Sequence, residues 1–121
     1  MNDASPDSVM DPAEACLVMT TVDSSTTARE IARRLVEERL AACVQILPPM
    51  TSVYTWEGRI EESSESLLLI KTVRTAYPTL EARLRQVHPY QTPEIIVIPI
   101  VAGLPDYLGW MVEVTERSSE D

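Results

Sequence analysis

The chain is 121 residues long, enough for one domain and too short for two ordinary ones. Hydrophobic residues make up 45% and charged residues 24%, a globular composition poor in aromatics, with no Phe, four Tyr and two Trp. Nineteen acidic residues against 10 basic ones give a net charge of −9 with a single lysine, which argues against a nucleic-acid partner, and no apolar run approaches the roughly 20 residues of a membrane span.

Much of the charge lies at the ends. Asp3, Asp7, Asp11 and Glu14 carry −4, and Glu116, Arg117, Glu120 and Asp121 carry −2, leaving −3 for the middle. Residues 1–14 read as a disordered acidic leader and 116–121 as a tail, around one domain over 15–115. The leader has neither a positive region nor an apolar stretch, so it does not read as a signal peptide and a cytoplasmic location is expected. Cys16 and Cys43 are then expected to be reduced, with a disulfide as the lesser alternative.

Residues 16–22 form an apolar, partly β-branched run expected to be a buried strand. The small polar residues 23–27 offer several helix caps, and Thr27 with Glu30 has capping-box spacing. Ala28, Ile31, Ala32, Leu35, Val36 and Leu40 then share one helical face, opposite a face of Arg and Glu. Residues 41–47 read as a strand broken by Pro48 and Pro49. Extended structure resumes over 53–56, turns at Glu57-Gly58, returns through the polar run 59–66 and becomes a strong strand over 67–73. The result is a hairpin long enough to project beyond a compact core.

Thr75 can cap a second helix, with Pro78 in its first turn, Tyr77, Leu80, Leu84 and Val87 on its apolar face, and Pro89 at its end. The β-branched run 94–100 reads as a centrally buried strand. Gly103 to Asp106 turns the chain, and 107–114 is expected to be a short last helix, weakened by Gly109. The order is the split βαβ, ferredoxin-like α+β pattern. Right-handed crossovers put both main helices on one face of the sheet, leaving the other face bare. Tyr54, Trp56, alternate leucines of 67–69 and members of 95–98 are the apolar groups expected there. Such a patch is large for a monomer, so oligomerisation through the sheet is expected.

Leu40-Ala-Ala-Cys-Val-Gln-Ile46, Tyr54-Thr-Trp56 with Gly58, Leu67-Leu-Leu-Ile-Lys-Thr72, His88-Pro-Tyr90, Pro93-Glu-Ile-Ile96 and Tyr107-Leu-Gly-Trp110, in this order and spacing, resemble the CutA divalent-cation-tolerance proteins. The resemblance spans residues 16–114. It implies a ferredoxin-like subunit, a tight homotrimer with inward-packed sheets, and a link to copper and other divalent metal ions. The family often carries an acidic residue after the His-Pro-Tyr triplet, where this chain has Gln91.

His88, the single histidine, sits at a helix end. It reads either as a helix-terminal imidazole on free carbonyls or as a metal ligand or general base. Cys43 reads either as a small buried apolar group or as a soft metal ligand, and thiolate with imidazole suits copper or zinc. Cys43 and His88 are therefore the candidate metal ligands; no close-spaced ligand motif is present, so a trimer is expected to assemble them, as one residue from each of three subunits at an axis or as two residues across a subunit cleft. Tyr54, Trp56, Tyr90 and Trp110 read as packing groups or as cleft walls, with Gln91 beside them. Lys71, alone in an apolar strand, is expected either to pair with Glu57, Glu94 or Glu113, to face an anion, or to reach solvent. The acidic hairpin residues Glu57, Glu61, Glu62 and Glu65 read as a solvated loop.

Two functional readings follow. One is a cytosolic, non-enzymatic trimer that binds divalent metal ions, copper foremost. The other is a small-ligand-binding signalling trimer resembling the PII proteins, which share the architecture. The second needs basic groups for nucleotide phosphates, for which Arg59, Lys71 and Arg74 are the available candidates, and no Gly-rich phosphate loop is present. Cys43 with His88 is the sole pairing that suggests catalysis, and no recognised catalytic motif accompanies it.

Overall fold

A computed structural model describes residues 15–116. The leader over 1–14 and the tail beyond Glu116 lie outside the described residues. The elements run β1 (Ala15–Val22), α1 (Ser25–Glu37), β2 (Cys43–Ile46), β3 (Met50–Trp56), β4 (Arg59–Val73), α2 (Tyr77–Val87), β5 (Ile96–Pro99) and α3 (Pro105–Thr115). A single 3₁₀ turn, Arg74–Ala76, leads into α2. The sheet order is β2-β4-β1-β5, antiparallel throughout, and β3 pairs with the first half of β4.

Alternation along the two central strands decides the layers. Val18, Thr20 and Val22 of β1 and Leu68, Ile70 and Thr72 of β4 are buried on one face. α1 and α2 cover that face: Ala28, Ile31 and Leu35 of α1 join Leu80 and Leu84 of α2 in one core with Val18, Val22, Leu68 and Ile70. Two helices therefore lie on one side of the sheet, in an α+β architecture.

The ends of the elements show where local chemistry acts. α1 starts earlier than its apolar periodicity suggests, because the Ser24 side chain accepts the Thr27 N–H at 3.2 Å. The Thr27–Glu30 capping box is not what begins the helix. α1 also ends sooner than the apolar stripe. Arg39 takes a left-handed φ of 61°, and Leu40 and Ala41 both donate their N–H to the Leu35 carbonyl. Leu40 is fully buried beyond the helix rather than within it. The Pro48-Pro49 break separates β2 from β3 as expected. Glu57 (φ 52°) and Gly58 (φ 78°) form a two-residue hairpin turn with both residues left-handed, flanked by the Trp56–Arg59 pair. The polar run 59–66 is not a separate return but the first half of the 15-residue strand β4.

β5 corrects another expectation. It covers four residues rather than seven, pairs on one side with β1, and every residue in it is exposed. Its β-branched composition reports a preference for extended backbone, not a central place in the sheet.

The second face carries Leu17, Met19, Leu67 and Leu69, at least partly buried, and Ile96 and Ile98, both exposed. The face is not wholly bare. α3 roofs one end of it, seating Met111 against Ala15 and Ala42, with Ile100, Leu108 and Val114 around them. Cys16 and Cys43 are both free thiols. Their register partners, Thr72 and Lys71, are consecutive in β4 and so point to opposite faces of the sheet.

Candidate functional site

The site begins where α2 ends. His88 takes an extended conformation, its N–H still bonded to the Leu84 carbonyl at 2.8 Å, and Pro89 stops the helix. The imidazole turns inward and is 7% exposed. Nε2 lies 2.9 Å from the Thr21 carbonyl, and Nδ1 accepts the Tyr90 N–H at 3.2 Å. These partners assign the proton to Nε2. The ring also meets Tyr90 edge-on at 4.7 Å.

Burial is the main influence on His88 and holds its pKa below the usual imidazole value, against the opposing pull of the Thr21 bond and of the Asp23 and Glu65 carboxylates. The native ring is therefore neutral at pH 7. The unfolded chain takes up a proton near pH 6.5, whereas the folded ring does so only at lower pH. Stability is then fully present above pH 6.5, falls as pH drops below it, and levels off once the folded ring protonates. Thermal melts at about pH 7.5 and about pH 5.5 are expected to differ more for the native chain than for His88→Gln.

From His88 the network runs outward. The Tyr90 hydroxyl donates to Glu65 Oε2 at 2.8 Å, and Glu65 is 8% exposed. Burial, then the bond to Glu65, pushes the Tyr90 phenol well above its ordinary pKa, so it stays a donor. Alternation along β4 explains Glu65. It shares the face of Leu67 and Leu69 and lines a cleft beside them. The reading of the whole acidic hairpin as a solvated loop holds for Glu57 in the turn; Glu62 is exposed but lies in β4, and Glu65 is buried.

Beside this network lies a cleft of about 650 Å³ between the β3–β4 hairpin and the loop that leads to β5. Tyr54 and Trp56 of β3 form one wall with Ser52 and Val53. Tyr90, Gln91, Thr92 and Glu94 form the opposite wall. Thr21, Asp23, Ser63 and Glu65 complete the lining. Three carboxylates and three aromatic rings thus face one space, and no Lys, Arg or His lines it among the described residues.

The structure brings together four of the candidates, Tyr54, Trp56, Tyr90 and Gln91. It places the others elsewhere. Lys71 faces α3, its Nζ 3.4 Å from the Tyr107 hydroxyl and 5.4 Å from the ring centre, so its partner is a tyrosine rather than Glu57, Glu94 or Glu113. Trp110 stacks at a tilt on Tyr107 at 5.4 Å, outside the cleft. Cys43 lies opposite Lys71, which is opposite Leu17. His88 is bonded to Thr21, four residues further along β1, roughly 13 Å at the rise of a strand. Cys43 and His88 therefore do not form a ligand pair within one subunit, and both imidazole nitrogens are already engaged. Among the described residues no three His, Cys, Asp or Glu side chains converge as a metal site. Sequence reasoning missed Thr21 and Asp23 as lining groups, and alternation through 59–71 was the available signal for Glu65.

Comparison with known proteins bears on this site. The family model described as CutA1 divalent ion tolerance protein matches residues 16–114. The divalent-cation tolerance protein CutA of Thermus thermophilus is 50% identical over 99 residues, covering 82% of this chain and 96% of that protein. The solved structure of the divalent cation tolerance protein from Thermus thermophilus superposes with a TM-score of 0.82 at 49% identity, covering 84% of this chain and 99% of that one. The crystal structure of CutA1 from Oryza sativa gives a TM-score of 0.84 at 36% identity, covering 88% and 97% respectively. With sequence and fold shared across nearly all the described residues, the protein belongs to the CutA1 divalent ion tolerance protein family.

Proposed function

We propose that this protein is a cytosolic homotrimer of ferredoxin-like subunits that binds divalent metal ions, copper among them, and so contributes to metal tolerance without catalysing a reaction. Family membership supports the tolerance role. The observation that carries the binding reading is the cleft itself: Asp23, Glu65 and Glu94 face it, and no cationic side chain among the described residues opposes them. Such a cleft attracts cations and repels phosphates. The same observation disfavours a PII-like nucleotide site, because Arg59, Lys71 and Arg74 all lie outside the cleft.

One subunit does not supply a complete metal shell among its described residues. Carboxylate oxygens and the Gln91 carbonyl are its hard donors in the cleft. Cys43 is a soft donor near α3, and His88 joins only by releasing the Tyr90 N–H. A full shell for copper therefore draws on neighbouring subunits. The exposed Ile96 and Ile98, with Leu17, Met19 and Leu69, support assembly through the second sheet face. The distance between Cys43 and His88 supports a non-enzymatic role.

Light scattering on the native protein is expected to report three times the 13.5 kDa chain mass. Calorimetric titration with Cu(II) and Zn(II) is expected to show binding that weakens in Glu94→Gln and in Cys43→Ser. Affinity unchanged in both variants removes these donors from the site.

A further inference from the structure

The two sides of the sheet differ in charge. Asp23, Glu65 and Glu94 line the cleft, whereas residues 24–39 and 74–88, which build the helix layer, hold seven Arg against four Glu. On the helix-covered side a groove of about 380 Å³ opens between α1 and β2, the strand at one end of the sheet order. Its lining joins the exposed Val36 and Ile46 and the half-buried Val44 to Arg29, Arg33 and Glu37. Arg33 meets Glu37 at 3.8 Å with both side chains in water, a weak pair, and Arg29 has no ion-pair partner among the described residues. An apolar strip beside the open edge of a strand attracts other chains unless it is covered.

The chain carries a segment of matching chemistry. Residues 1–14 lead directly into β1 and hold Asp3, Asp7, Asp11 and Glu14 with no Lys or Arg. Within them, Asp7-Ser-Val-Met-Asp11 sets two apolar residues between two carboxylates. We propose that this leader docks in the groove between α1 and β2, with Val9 and Met10 against Val36, Val44 and Ile46 and with Asp7 and Asp11 toward Arg29 and Arg33. The reach is sufficient. Val44 pairs with Ile70 and Ile70 with Val18, so Val44 stands two strands across and three residues along from Ala15, roughly 14 Å. The five residues from Met10 to Ala15 span up to about 17 Å. Charge selects the side: the cleft carboxylates repel the leader and the arginines attract it. A tethered segment acts at millimolar effective concentration, so contacts too weak to hold a separate peptide suffice here.

Methyl NOE spectroscopy on the full-length protein tests this docking. Cross-peaks are expected between the Met10 methyl and the Val44 and Ile46 methyls at low salt, weakening at high salt. The double variant Val9→Asp, Met10→Asp is expected to shift the Val36, Val44 and Ile46 methyl resonances. The double variant Asp7→Asn, Asp11→Asn is expected to lower the docked population several-fold, as loss of two exposed ion pairs implies. Because these substitutions precede β1, circular dichroism of both variants is expected to match the native chain. Absence of Met10 cross-peaks to the groove, groove methyl shifts unchanged in the Val9–Met10 variant, or cross-peaks showing a neighbouring subunit's residues in the groove overturns the proposal.

Discussion

Ile98→Asp is expected to dissociate the assembly while leaving the subunit folded. Ile98 lies in β5 opposite Leu17 and is 43% exposed in one subunit, so the substitution does not disturb the helix-covered core. The same side chain stands on the apolar second face with Met19, Leu69 and Ile96. If subunits pack through that face, each interface receives an unpaired carboxylate, at a cost of about 3–5 kcal/mol per buried charge. Light scattering is expected to show the mass fall toward 13.5 kDa, with circular dichroism retained. A variant that keeps a trimer mass and an unchanged melt places the interface elsewhere.

Leu84→Ala is expected to cause a large loss of stability. Leu84 is fully buried in the core beneath α2, and its carbonyl receives the His88 N–H. Removing a buried leucine side chain costs about 2–5 kcal/mol, depending on how far the site collapses. For a domain of this size each 1 kcal/mol lowers Tm by about 4–8 °C. The effect reaches the cleft, because His88 holds the Tyr90 N–H and Tyr90 holds Glu65. Thermal melts measure the first effect. The Tyr90 ring signals, perturbed relative to the native chain well below Tm, measure the second. A melt lowered by less than about 5 °C contradicts the tight packing assigned to Leu84.

Much of the fold was legible because periodicity reports faces. The helical spacing of Ala28, Ile31 and Leu35, and of Leu80 and Leu84, marks residues that are indeed buried. Glu57-Gly58 marks the hairpin turn, since a two-residue turn with both φ values positive favours glycine. Helix ends were less legible. Ser24 and Thr27 are both competent caps, and only the path of the chain leaving β1 selects Ser24. β5 was misplaced because a β-branched run looks alike at the centre and at the edge of a sheet.

The site was legible in part. Tyr54, Trp56, Tyr90 and Gln91 meet in the cleft, whereas Lys71, Trp110 and Cys43 lie toward α3. The sequence by itself determined the order of strands and helices, the two-faced character of β1 and β4, and the family. Only the tertiary structure decided that Thr21, Glu65 and Tyr90 gather around a neutral His88, and that Cys43 stands a strand's length away. The physical reason is that side-chain period is a local property of the backbone, while neighbourhood depends on sheet order and on where the loop after α2 crosses to β5. A histidine followed by proline announces a helix end, but the two backbone groups that occupy its ring nitrogens come from β1 and from its own loop, and no local pattern of residues encodes their meeting.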